Sequence, residues 1–256
     1  MSQAAPWWET FYSNHYAEAM FQLDLNYLNA ACDFILDKLQ LQSGQTVLDQ
    51  CCGIGNISLL LGQRGISVIG IDQSDSYVQQ AQERARLGDL GNCHFVAADA
   101  FSYVSPTPVD AALNWHTSFG YTPDDRQNRL MLERAYASLK PGGYFLLDFL
   151  NLPYVLKHFR ATMITYHQTQ EGDVEVIRES SPDLSSGMLN QLWTFIYPNA
   201  ERRLMHQTGT RMYLPYQLGD LLKASGFELI DYFGSLAGEP LSFETPRCIC
   251  LARRPV

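Results

Sequence analysis

The chain has 256 residues, enough for one large α/β domain or one domain with an insertion, and long enough to bury a core without disulfide or metal staples. Its 46% hydrophobic and 18% charged residues exclude a disordered class, and a net charge of −9 disfavours nucleic acid as partner. The start shows no basic and apolar leader, and the longest apolar run, from Tyr144 to Leu156, is broken by Asp148, Asn151 and Pro153, so a cytoplasmic protein with no membrane partner is expected.

The first 40 residues read as helical and rich in aromatics. Leu28, Ala31, Cys32, Ile35 and Leu39 recur at helical spacing until Ser43-Gly44 breaks the pattern. From Gln45 onward, strand-like and helix-like segments alternate. "TVLD" reads as a buried strand, "NISLLLGQR" as a helix, and "SVIGID" as a strand ending in an acid. "SYVQQAQERARLG" is a helix closed by Gly88, followed by the strands "CHFVAAD" and "VDAALNW". "DDRQNRLMLERAYASLK" starts with acids and ends on Lys140, as the helix dipole favours. "PGG" then turns into the strand "YFLLDFL". This alternation predicts a mostly parallel sheet with helices on both faces.

The pattern changes near Asn151. "MITYHQ", "DVEVIRES", "NQLWTFIY" and "QTGTRMYL" alternate as strands do, with turn signals at Glu171-Gly172, Ser186-Gly187 and Pro198-Asn199. An antiparallel insertion of about four strands is expected over 152–212. "YQLGDLLKASGF" then reads as a helix, and "ELIDYFG" and "RCICLAR" as the strands that complete the main sheet.

The chemistry concentrates in "VLDQCCGIGN". A strand runs into Gly53-x-Gly55 and then a helix. Glycine permits a tight turn and close approach of a ligand, and the helix start offers free N–H donors. Asp72 ends the next strand, where such folds bind ribose hydroxyls. A nucleoside-containing cofactor follows. Ser58 stands where a dinucleotide fold wants a third glycine, and Asp49 suits a cationic group better than a pyrophosphate. None of the six cysteines forms a C-x-x-C pair, and the histidines lack metal spacing, so no metal is expected. Cys51 and Cys52 read as packing residues, and Cys248 and Cys250 as pointing to opposite faces of their strand.

With these stations in order, the sequence resembles the class I S-adenosylmethionine-dependent methyltransferases, well over Gln45 to Asn151 and more loosely over Tyr216 to Arg253. The resemblance implies a Rossmann-like seven-stranded sheet, an N-terminal helical lid and S-adenosylmethionine as cofactor. It places Asp49 near the methionine amino end, with Cys51, Gly53, Gly55 and Asn56 in the same loop. Asp72, followed by Gln73, meets the ribose. Asp99, Ala100 and Phe101 form the adenine station. Asn114 and Trp115 end the fourth strand beside the methyl group. The family often has glycine where Cys51 stands.

His116 follows that strand, at the carboxyl edge where open α/β sheets bind ligands, and is the candidate general base. A base is needed only if the acceptor arrives protonated. Phe119 and Tyr121 are candidate acceptor-pocket walls. Tyr12 and Tyr16 lie one turn apart in the aromatic N-terminal stretch and share a face toward the acceptor. Arg178 and Arg211 are candidate substrate contacts from the insertion. Residues 1–151 with 213–256 are expected to form the cofactor-binding domain, and 152–212 to cover the acceptor site or pair two copies as a homodimer. The expected acceptor is a small molecule, with nitrogen slightly ahead of oxygen from the resemblance. A tRNA or other nucleic-acid base, a non-catalytic cofactor-binding scaffold and an NAD-dependent oxidoreductase are the alternatives.

Overall fold

The alternating apolar strands and amphipathic helices leave a two-sheet architecture, seen in a computed structural model that describes residues 6–256; the leader-free start expected at residues 1–5 lies outside them. Three helices come first: α1 (Trp7–Phe11), α2 (Asn14–Met20) and α3 (Leu25–Lys38). The main sheet follows as β1 (Thr46–Gln50), β2 (Ser67–Asp72), β3 (Cys93–Ala97), β4 (Val109–Asn114) and β5 (Leu139–Leu150), with α4 (Asn56–Gln63), α5 (Asp75–Leu87) and α6 (Asp125–Ser138) between strands. The second sheet holds β6 (Thr162–Thr169), β7 (Gly172–Asp183), β8 (Met188–Tyr197) and β9 (Arg202–Arg211), entered through α7 (Leu152–Lys157). Helix α8 (Pro215–Ala224), β10 (Glu228–Phe233) and β11 (Arg247–Arg253) close the chain.

The main sheet has seven strands in the order β10-β11-β5-β4-β1-β2-β3. Only β11 runs against the others, since it pairs antiparallel with both β5 and β10. Strands β1, β4 and β5 are buried on both faces, which explains their continuous apolar runs. On one face Val47, Val68 and Leu113 pack with Ile35 of α3, Leu61 of α4 and Ala81 of α5. On the other, Leu48, Ala112 and Phe145 pack with Leu132 of α6 and Leu222 of α8.

The four insertion strands form their own antiparallel sheet in the order β6-β7-β8-β9. Its inner face carries Val174, Val176, Trp193, Phe195 and Tyr197, which pack on Phe11 and Ala19 of the first two helices. Helix α7 was not foreseen; Pro153 sits in its first turn, where a missing N–H is harmless. Strand β5 begins at Leu139, because Leu139 already pairs with Val109 and the expected turn at 141–143 lies within the strand. Strand β9 begins earlier than its alternating pattern, since Arg202 pairs with Tyr197 directly after the turn. Cys248 and Cys250 share a face, their sulfurs 3.9 Å apart, contrary to the expectation: residues two apart on a strand point the same way. Among the described residues no helix is long and apolar enough to cross a membrane.

Candidate active site

The carboxyl ends of β1, β2 and β4 and the loop after β3 open into a cavity of about 280 Å³, roofed by α1, α2 and the residues after them. Its floor is the loop from β1 to α4. There Cys51, Gly53 and Gly55 all have left-handed backbone, at φ of 59°, 56° and 80°. Gly53 faces the cavity, and its N–H donates to Asp72 Oδ2 at 2.9 Å. A Cβ at Gly53 would come within 3.2 Å of the Phe21 ring above it. Gly55 does not line the cavity. A side chain there would meet Phe95 at 3.0 Å and Ala81 at 3.2 Å, so this glycine lets α4 close on the sheet rather than admitting a ligand. Cys51 is the exception in the loop: a side-chain-bearing residue in a conformation that costs about 1–2 kcal/mol without glycine. Burial, with Asp72, Asp49 and Asp99 nearby, pushes its thiol well up, so it stays neutral.

Three carboxylates lie along the cavity. Asp49, only 3% exposed, accepts a 2.6 Å hydrogen bond from Ser58 Oγ of α4. Burial raises its carboxyl to about 7, against the Ser58 hydrogen bond and with help from Asp72. A buried acid poised near neutrality is a site for a cation. Asp72 accepts from Gly53 N and, at 2.9 Å, from Ser74 N; burial still raises its carboxyl against these N–H donors. Each oxygen keeps a lone pair for a hydroxyl. Asp99 is exposed at the far end and accepts from Phe101 N at 2.9 Å, beside buried Ala100.

The roof is hydrogen-bonded to the floor. Gln73 donates to Trp8 O at 3.1 Å, Tyr77 to Ser13 O at 2.8 Å and Asn56 to Phe21 O at 3.1 Å. Trp8 lies over Phe101 with ring centroids 6.1 Å apart. Tyr12 Oη meets Tyr121 Oη at 2.5 Å, and Tyr16 packs edge-on against Tyr12. Burial raises all three phenols, Tyr16 to about 12. These rings and His116 share the cavity.

His116 sits at the solvent-exposed rim. Its Nε2 is 2.9 Å from Tyr27 Oη, and the two rings stack 5.7 Å apart. Packing against Tyr27 and Trp115 strips water from the ring and lowers its pKa below the usual histidine value, with Asp148 opposing and Arg247 adding to the effect.

Several expected site residues are placed elsewhere. Asn114 is buried behind the cavity, where its amide donates to Ser118 O at 3.3 Å and orders the loop, while Trp115 does line the cavity. Phe119 is fully buried against Phe149 and Tyr213 and walls nothing. Arg178 lies over Trp193 on the inner face of the insertion sheet, and Arg211 is paired with Asp125 at 3.0 Å. No residue of 152–212 lines the cavity: the insertion sheet backs the lid, and the lid covers the site. Conversely, Phe21, Tyr27 and Tyr77 belong to the site or its support and carried no sequence signal, because their role comes only from chain segments meeting in space. Among the described residues no group of three or more His, Cys, Asp or Glu can hold a metal ion.

The family model described as "Methyltransferase domain" matches residues 47–143, the segment that builds the cavity floor and its β3 and β4 edges. The chain carries a class I S-adenosylmethionine-dependent methyltransferase domain. Its cofactor is S-adenosylmethionine. The structure of the CcbJ methyltransferase from Streptomyces caelestis is similar to this methyltransferase, with a TM-score of 0.80, 15% identity and coverage of 96% of this chain and 98% of that one. CalS10 from Micromonospora echinaspora, an amino pentose methyltransferase with S-adenosylmethionine bound, is similar at a TM-score of 0.67 and 18% identity, over 90% of each chain. At these identities the likeness is one of fold. A 23S rRNA (uracil(1939)-C(5))-methyltransferase from Alkalilimnicola ehrlichii is 36% identical over 78 residues, 30% of this chain. The match spans only 18% of that relative's length. The residues of the methyltransferase cavity fit the cofactor. Asp49 offers a buried acid that suits a cationic group, Asp72 has lone pairs that suit hydroxyls, and Gly53 gives backbone access.

Proposed function

We propose that the protein methylates an amine-bearing small molecule, with His116 as general base. The observation that carries this reading is the composition of the cavity wall. The rings of Tyr12, Tyr16 and Tyr121 line its acceptor end, and among the described residues no lysine or arginine lines the cavity. Rings attract a cation through their quadrupole. A nucleic-acid acceptor would bring phosphates and call for the opposite lining. The rRNA relative matches over 78 residues of this chain and 18% of its own length, whereas the amino pentose enzyme shares the fold over 90% of each chain.

The cofactor supplies a methyl group on a sulfonium sulfur, ready for in-line displacement. The chain's own residues do the rest. Asp49 holds the ammonium end, Asp72 the ribose, and Asp99 with the Ala100 backbone the adenine. The lid rings exclude water and align the acceptor nitrogen, which supplies much of the rate by proximity. An ammonium acceptor must lose a proton before its lone pair can attack. His116 takes it through Nδ1, with Nε2 turned to Tyr27 Oη at 2.9 Å; that role requires the tautomer in which Nε2–H donates to the tyrosine oxygen.

The test is calorimetric titration with S-adenosylmethionine, NAD serving as control, followed by a screen of amines, alcohols and an rRNA oligonucleotide for S-adenosylhomocysteine release. Turnover with amines alone supports the reading. Turnover with RNA overturns it, as does binding of NAD in place of S-adenosylmethionine. Cofactor binding without any turnover makes the chain a scaffold.

A further inference from the structure

Two consecutive residues at the cavity rim, His116 and Thr117, have left-handed backbone, at φ of 58° and 61°. Neither is glycine, and Thr117 is β-branched, the type least tolerant of that region. Such a pair persists only where its surroundings over-determine it. Here the surroundings are specific. His116 N donates to Asp148 Oδ2 at 3.0 Å, and Thr117 N donates to the Asp148 carbonyl at 3.1 Å. Asp148, on β5, is 1% exposed. Its charge is met by Arg247 of β11, whose Nε donates to Oδ1 at 2.7 Å and whose Nη2 lies 2.6 Å from Oδ2. The same Nη2 donates to Thr117 Oγ1 at 2.9 Å.

We propose that Arg247 is a positioning residue for methyl transfer: its guanidinium bridges Asp148 and Thr117, locks the left-handed turn, and so aims the His116 imidazole at the acceptor. The planar fork matters, since Nε and Nη2 together grip the carboxylate while the second N–H of Nη2 holds the hydroxyl; an ammonium is a point donor and does not reproduce that shape. Arg247 lies 131 positions from His116 in sequence and outside the residues matched by the methyltransferase model. It reaches the turn only because β11 inserts antiparallel beside β5, with Arg247 opposite Leu150. The groups facing the imidazole are Tyr27 from α3, Asp148 from β5 and Arg247 from β11.

This inference rests on His116 acting as base, and the test separates the two. The His116 imidazole is titrated by NMR in the wild type, Arg247→Met and Arg247→Lys, and kcat is measured against pH with the best amine from the screen. In Arg247→Met, the lowering influence of the guanidinium is gone and that of Asp148 remains. The NMR midpoint and the acid limb of kcat therefore both move to higher pH, and kcat falls about ten- to a hundredfold from misaimed geometry, with KM for S-adenosylmethionine little changed. Arg247→Lys keeps the charge and the fold but loses the fork, so kcat falls while the midpoint stays. Wild-type kcat in the lysine variant, or an unmoved midpoint in the methionine variant, overturns the proposal. If Arg247→Met does not fold, kcat of Arg247→Lys decides. Full activity in His116→Ala overturns the base reading and the positioning role with it, whereas an inactive His116→Ala beside a fully active Arg247→Lys overturns the positioning role alone.

Discussion

In its proposed place at the ammonium end, Asp49 couples cofactor binding to protons. Its folded carboxyl lies near 7, above the unfolded value of about 3.9. Its contribution to apo stability is therefore present at pH below the unfolded value and lost as pH rises through about 7. The ammonium of the cofactor selects the ionised form. Affinity should rise between about pH 6 and 8, with proton release seen by calorimetry in buffers of different ionisation heat. Asp49→Asn should flatten that dependence and weaken binding by about 1.5–3 kcal/mol. Asp72→Ala should cost about 1–3 kcal/mol of cofactor affinity, and an unchanged dissociation constant would remove it from the ribose. Cys51→Gly relieves a left-handed position. The relief of about 1–2 kcal/mol exceeds the roughly 0.5–1 kcal/mol that glycine loses in chain entropy, so the melting temperature should rise. Asp49, Gly53 and Asp72 were legible because strand, turn and acid follow one another in the chain. Ser58 was read only as a missing glycine, although its hydroxyl is what holds Asp49. Tyr27 gave no signal because it lies on a helix far from His116 in sequence.

The lid is the element on which both ligands depend. Helices α1 and α2 have five and seven residues, too short to persist by themselves. They are held by the insertion sheet above and by Gln73, Tyr77 and Asn56 below. Tyr77→Phe removes one hydrogen bond of about 1 kcal/mol, which corresponds to roughly fivefold faster cofactor dissociation by stopped flow. Global stability should change less, since the main core lies elsewhere; equal loss in both would make Tyr77 a core residue instead. The βα alternation made the main sheet readable almost strand by strand, since a buried parallel strand and an amphipathic helix have different periods. The insertion strands were also readable from their turns. Their placement was not: alternation says which residues share a face but not which face meets the lid, and so Arg178 and Arg211 were assigned to a cavity they never reach.

At the scale of the whole molecule, the outer face of the insertion sheet sets the expectation for pairing. Ile164, Ile177 and Met205 share that face, as does Ile196, with Glu175 and Arg203 flanking it in register. Ile164 and Met205 are half-exposed. A two-fold axis would bring Glu175 of one copy to Arg203 of the next, the self-complementarity a closed dimer requires. Light scattering should give twice the chain mass, reduced to one by Ile164→Glu with Met205→Lys; a single-chain mass for the unaltered protein ends that idea. Such a pairing would leave the lid free, because the lid lies on the opposite face of the same sheet. That arrangement has a kinetic consequence. Trp8 packs on Phe101, at the proposed adenine end, and Tyr12 meets Tyr121, at the proposed acceptor end, and both belong to one short flap. Opening of that flap would then release methylated product and spent cofactor in one event. Solvent viscosity should then slow steady-state turnover while leaving the first, single-turnover transfer untouched.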